Sequence, residues 1–188
     1  FSPDFRTGYF PSFSAGWRVS EEGFMKHTRS WLNELKLKGS WGTTGNNATG
    51  NYTWQPTYGS NPYSFNNLQT PGLGVNAYAN NALQWEVMSS TNLGFEASFL
   101  NRKFNLEAEY YYRNTTNIIS RPPMAQTAGT ASAPFINEFA MKASGIDINL
   151  GYRGRIKDLT IDLGVNALTM RNEVYKYKGP LVEGFNSD

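Results

Sequence analysis

The 188-residue sequence has no cysteine, which excludes disulfides, thiolate metal sites and cysteine nucleophiles, and suits a chain that passes through an oxidising compartment. It has a single histidine, His27, flanked by Lys26 and Arg29, so neither a Ser-His-Asp triad nor a multi-histidine metal site has the material to form. No catalytic residue, metal site or cofactor is expected, and His27 reads as a surface or interfacial side chain. Charge of one sign is missing too: 17 Lys+Arg against 15 Asp+Glu give +2, too balanced for a nucleic-acid footprint. No apolar run approaches the ~20 residues of a membrane-crossing helix. The first residues, Phe1-Ser2-Pro3-Asp4, are neither a basic leader nor an initiator Met, and the chain reads as an internal piece of a longer polypeptide.

What the sequence does hold is aromatic side chains, 15% of all residues within only 39% hydrophobic ones. A disordered chain is poor in aromatics, whereas a lipid-facing barrel needs one apolar face, aromatic girdles and a polar second face. The chain alternates accordingly. Trp85, Val87, Leu93, Phe95, Ala97 and Phe99 fall on one face, opposite Glu86, Ser90, Asn92, Glu96 and Ser98. After a turn the alternation resumes with Phe104, Leu106, Ala108, Tyr110 and Tyr112 against Asn105, Glu107, Glu109 and Arg113. A second hairpin sets Ile146, Ile148, Leu150 and Tyr152, then Leu159, Ile161, Leu163 and Val165, against polar partners. Weaker alternation marks Phe13–Val19 and Leu35–Trp41, joined by a linker, Glu21–Glu34, with room for a helical turn. The pattern predicts six long antiparallel strands, near 9–20, 34–44, 84–100, 103–119, 142–154 and 158–171, in an all-β transmembrane β-barrel segment.

Turns within the later pairs are a few residues long, while Thr43–Leu83 and Ser120–Phe139 are long and rich in Asn, Gly, Thr and Pro. Soluble domains seldom carry structureless loops beyond ~12–15 residues, whereas outer-membrane barrels combine short periplasmic turns with long extracellular loops. This orients Asn101–Lys103 and Gly154–Asp158 to the periplasm and Gly45–Ala82 and Arg121–Glu138 to the outside. Trp17, Trp41, Trp85, Tyr110, Tyr112 and Tyr152 are expected as girdle residues.

Several phrases, in order, resemble signatures of the SusC family of TonB-dependent transporters. Phe10-Pro11-Ser12-Phe13-Ser14-Ala15-Gly16-Trp17-Arg18-Val19-Ser20-Glu21-Glu22 is similar to the family's FPSxSAGWRISEE. Leu35-Lys36-Leu37-Lys38-Gly39-Ser40-Trp41-Gly42, with Thr44-Gly45-Asn46, is similar to LKLRxSWGxTGN. Leu83-Gln84-Trp85-Glu86 followed by Thr91-Asn92-Leu93-Gly94 resembles LKWExxxxxNIGxD, and Ser144-Gly145-Ile146-Asp147 and Arg171-Asn172-Glu173-Val174 resemble NKGFEL and xKNEV. Ser144-Gly145 departs slightly from the usual Lys-Gly. The resemblance implies the C-terminal half of a barrel of ~22 strands in a Gram-negative outer membrane, with the plug domain and remaining strands outside these residues. It implies import of oligosaccharide or peptide oligomers with a SusD-like surface lipoprotein, driven by TonB through the plug.

Trp54, Tyr58, Tyr63, Phe65 and Tyr78 lie among Asn, Ser and Gly in the first long loop, a mixture that can stack on sugar rings or peptide side chains, or else pack the loop against its neighbours or a SusD-like lipoprotein lid. They are the candidate substrate or partner contacts. Glu107 and Glu109 share a strand face and read as part of a polar lumen wall, pairing with Lys or Arg on neighbouring strands, rather than as an acid–base pair. Gly42-Thr43-Thr44-Gly45 lacks the Lys-Ser/Thr of a phosphate loop. Two rival readings remain: a soluble β-sandwich carbohydrate-binding module and a non-transporting outer-membrane barrel scaffold.

Overall fold

A computed structural model describes residues 1–124, 127, 129 and 131–177. Its main sheet is an antiparallel meander of strands β1 (Ser12–Arg18), β2 (Leu32–Asn46), β7 (Glu86–Phe99), β8 (Phe104–Ser120), β9 (Ile136–Ile156) and β10 (Leu159–Leu168), neighbours in space as in sequence. A further strand, β11 (Arg171–Tyr177), lies on β9 beyond the end of β10. The pairs Leu168↔Asp147 and Arg171↔Ser144 keep one register, and Thr169 donates its amide to the Ile146 carbonyl at 2.9 Å. β10 and β11 are therefore one long strand with a local interruption, and the sixth strand runs past the expected limit at 171 to Tyr177.

The alternation works as a two-faced wall. Register aligns Trp17, Leu37, Phe95, Ala108, Ile148 and Ala167 in one row across the sheet, and Leu35, Ala97, Leu106, Leu150 and Val165 in the next. A one-residue slip in any strand would send polar side chains into these rows, so the face itself fixes register. The rows stay largely uncovered: Leu37 is 42% exposed, Leu150 47% and Val165 65%. Among the described residues only Val19, Leu32, Leu83, Ala97 and Ala140 are buried apolar side chains. A soluble sandwich would press this face against a second sheet, and among the described residues no sheet covers it, which speaks against that reading.

Aromatic pairs frame the apolar face. Trp31 stacks on Phe99 at 6.1 Å and Phe104 tilts against Tyr152 at 4.9 Å near the short turns, while Phe13 meets Trp41 at 5.5 Å toward the long loops. From Phe104 to Tyr112 the strand spans ~27 Å at ~3.4 Å per residue. At the ~40° tilt of barrel strands that is about 20 Å of height, close to the ~25 Å apolar band of outer-membrane barrels. The apolar stretch also drifts along the strands, ending at Trp17 on β1 but continuing beyond Tyr152 to Ile156 on β9 and to Leu159 on β10. Tilted strands require such a drift, because hydrogen-bonded rows then climb relative to the membrane plane. Trp85 corrects the girdle expectation: it lies just before β7, stacked on Phe1 at 5.6 Å and 5.5 Å from Phe10, and donates its indole N–H to the Phe5 carbonyl at 2.9 Å.

The connections differ at the two ends. Lys157-Asp158 joins β9 to β10 and Leu100–Lys103 joins β7 to β8. Leu100, Asn101 and Arg102 all have positive φ, an unfavourable run without glycine. Neighbouring strands hold it: the Leu100 amide donates to the Trp31 carbonyl at 2.9 Å and the Arg102 amide to Asn33 Oδ1 at 3.0 Å. The β1–β2 linker holds short 3-10 turns at Val19–Glu21 and Gly23–Thr28.

Candidate functional site

The end opposite the short turns carries the candidate residues, and its first loop is not structureless as expected. It is a nested hairpin: β3 (Thr57–Ser60) pairs with β6 (Leu73–Ala77), and β4 (Tyr63–Phe65) with β5 (Leu68–Thr70). Asn66 and Asn67, at φ 49° and 61°, make the two-residue tip turn, a geometry asparagine tolerates well. Pro62 and Pro71, which donate no ladder hydrogen bond, divide the hairpin into two short ladders, bridged by Asn61 N–H to the Gly72 carbonyl at 2.8 Å.

This geometry separates the five aromatics. Tyr63 and Phe65 meet edge to face at the tip, 5.0 Å apart and about two-thirds exposed. Tyr58 is exposed in the stem, and Tyr78 lies at the foot, its amide donating to the Ser132 carbonyl of the second long loop at 3.4 Å. Trp54 stands apart in a cavity of about 600 Å³ with Arg6, Asn47, Asn51 and Tyr52. The five thus form a tip pair, two stem residues and one cavity wall rather than a single platform. Arg6 and Tyr52 are lining residues that the sequence did not single out. Arg6 is distant in sequence from the loop, and only folding brings it there.

The loops share one base. Asn137 donates to the Gln84 carbonyl at 2.8 Å and the Asn117 carbonyl at 2.7 Å, and accepts from the Gln84 amide at 2.8 Å. Asn80 donates to the Phe135 carbonyl at 2.6 Å, Ser132 pairs with Ala77, and Leu83 beneath them is fully buried. The two loops are anchored to each other as well as to the wall.

On the polar face of the wall, Lys38 of β2 reaches Glu96 of β7 at 3.5 Å and Glu109 of β8 at 3.2 Å, and also pairs with Glu107. Lys36 adds a second contact to Glu96 at 3.4 Å. Glu107 and Glu109 are thus ion-paired across strands, the arrangement read from their shared face. His27 is exposed in its 3-10 turn, and the described residues contain no group of three or more potential metal ligands.

Comparison with known proteins agrees with this wall. A family model described as TonB dependent receptor-like, beta-barrel matches residues 1–186. TonB-dependent receptor P26 of Formosa agariphila is 27% identical over 188 residues, covering all of this chain and 17% of the relative. TonB-dependent receptor SusC of Bacteroides thetaiotaomicron is 29% identical over 185 residues, covering 95% of this chain and 18% of the relative. Among solved structures, the RagAB peptide importer in its closed-closed state superposes with a TM-score of 0.83 at 28% identity, over 96% of this chain and 20% of that one. The chain spans less than a fifth of the length of these two curated relatives.

Proposed function

The chain belongs to the TonB-dependent receptor-like β-barrel family, and from that premise we propose that it supplies wall and extracellular loops to an outer-membrane transporter importing glycan or peptide oligomers. The observation that carries this reading is the sheet itself, with an uncovered apolar face framed by aromatics on one side and ion-paired carboxylates on the other. In lipid every backbone polar group needs an internal partner, and a wall of antiparallel strands within a closed barrel provides it. The short turns then face the periplasm and the nested hairpin the cell exterior.

The plug and the remaining strands belong to the rest of the polypeptide, and TonB acts through that plug. A SusD-like lipoprotein covers the extracellular mouth, where Tyr58, Tyr63, Phe65 and Tyr78 offer exposed aromatic contacts for cargo or lid. Supporting the partnership is the likeness to SusC and to a structure of the RagAB importer. The test is gene deletion in the native bacterium, with growth followed on single glycans and on peptides, alongside tagged purification from detergent-extracted outer membranes. Loss of growth on one polymer class and co-purification of a surface lipoprotein are expected. Unchanged growth on every polymer would favour a scaffold barrel with no solute of its own.

A further inference from the structure

The cavity around Trp54 brings an arginine to a loop, residues 45–85, that has no charged side chain of its own. The cavity walls, which include Phe1, Arg6, Asn47, Asn51, Tyr52 and Trp54, contain no carboxylate and no aliphatic side chain. Within the described residues, no hydrogen bond or ion pair engages the side chains of Arg6, Asn47 or Asn51. An exposed guanidinium, two exposed amides and three aromatic rings therefore share about 600 Å³, within the usual range of a small-ligand site.

The turn that builds these walls is held in an unfavourable shape. Tyr52 sits at φ 58°, a region costly for a bulky residue, and Gly50 at φ 83°. The Gln55 amide closes the turn on the Tyr52 carbonyl at 3.0 Å, and the Asn80 amide ties the Trp54 carbonyl to the loop base at 3.0 Å.

We propose that this cavity is a subsite for an acidic sugar residue of the imported glycan. Arg6 takes the carboxylate through its planar fork, Asn47 and Asn51 hydrogen-bond ring hydroxyls, and Trp54 and Tyr52 pack on the ring faces. A guanidinium beside two amides matches a carboxylate and ring hydroxyls better than an apolar peptide side chain, and a single cation is too little for a polyphosphate. The inference rests on the import reading and narrows its substrate class.

The test uses the full-length transporter, purified in detergent, on immobilised hexamers of glucuronate and of galacturonate, each beside its carboxyl-reduced counterpart, with a mixed oligopeptide library alongside. The expected result is at least a tenfold preference for the acidic member of one pair. Arg6→Gln abolishes that preference while Arg6→Lys keeps part of it, and Trp54→Ala weakens acidic and reduced members alike. Heat-modified gel mobility of each variant confirms a folded barrel. Equal binding of acidic and reduced sugars, retention of peptides alone, no retention at all, or an undiminished preference in Arg6→Gln overturns the proposal. Gene-dependent uptake of a neutral glycan or a peptide, unaffected by Arg6→Gln, would leave the import reading standing while this one falls.

Discussion

Lys38 is the residue on which the polar face of the wall converges, because one carboxylate from the adjacent strand β7 and two from β8 beyond it surround its ammonium. All four side chains are 26–42% exposed, so each pair is partly screened and worth little alone. Removing the cation does more than delete pairs, since Glu107 and Glu109 are left with like charge on one face. Lys38→Ala is expected to lower barrel stability by about 1 kcal/mol, read as a fall in the temperature at which the full-length barrel loses its compact gel mobility. Adding Glu107→Gln to Lys38→Ala should recover part of the loss, and a double variant no better than the single one would show that repulsion is not the cause. The pairing was legible before the fold was known, because Glu107 and Glu109 share a face by strand period and Lys36 and Lys38 share one by the same rule. Which lysine serves which glutamate follows only from register.

A second residue was not legible. Gly45 lies beneath the Phe10 ring so closely that an added Cβ would fall inside it. Nothing in the local sequence joins these positions, and aromatic cover over a half-buried strand glycine is a tertiary arrangement. Gly45→Val is expected to displace Phe10 from Trp85, 5.5 Å away, and to shift Trp85 fluorescence at a stability cost of about 1–3 kcal/mol. An unchanged emission spectrum would show that Phe10 does not hold the indole in place.

Among the elements, the long strands were the readable ones. Their period of two runs past the length of a soluble strand, and one face must avoid water along all of it. The nested hairpin β3–β6 escaped the same reading because both its faces are solvated and no alternation is imposed on it. The turn Leu100–Arg102 escaped for another reason: its left-handed residues are held by carbonyl and asparagine acceptors on β2 and its approach rather than by glycine. The joint base of the loops depends on Asn137, whose side chain makes three of the hydrogen bonds that bind Gln84 and Asn117 to β9. Asn137→Ala should free both loops together, raising the rate of limited proteolysis within residues 57–77 about tenfold, the ratio that ~1.4 kcal/mol of lost local stability gives when opening is fast. The barrel's unfolding temperature should barely move. Equal proteolysis rates in variant and parent would mean that the hairpin is held by its own ladders alone.

For the whole molecule the decisive feature is an unfinished sheet. Within the described residues, β1 has a partner only on its β2 side, and β10 and β11 only on β9, so two rows of backbone donors and acceptors face outward. In water these edges and the uncovered apolar face invite aggregation, while in lipid each unpaired group costs several kcal/mol. Bacterial outer-membrane barrels begin at ~8 strands, so this wall cannot close on itself as a monomer. Expressed alone and transferred to detergent micelles, these 188 residues should give broad amide spectra, rapid hydrogen exchange along β1 and β10, and no heat-modifiable gel species. Within the full-length protein the same strands should be among the last to exchange, because both edges are then paired. Slow exchange along β1 and β10 in the isolated chain would mean that copies close the ring between themselves, and cross-linking from β1 of one copy to β10 of another would reveal that assembly.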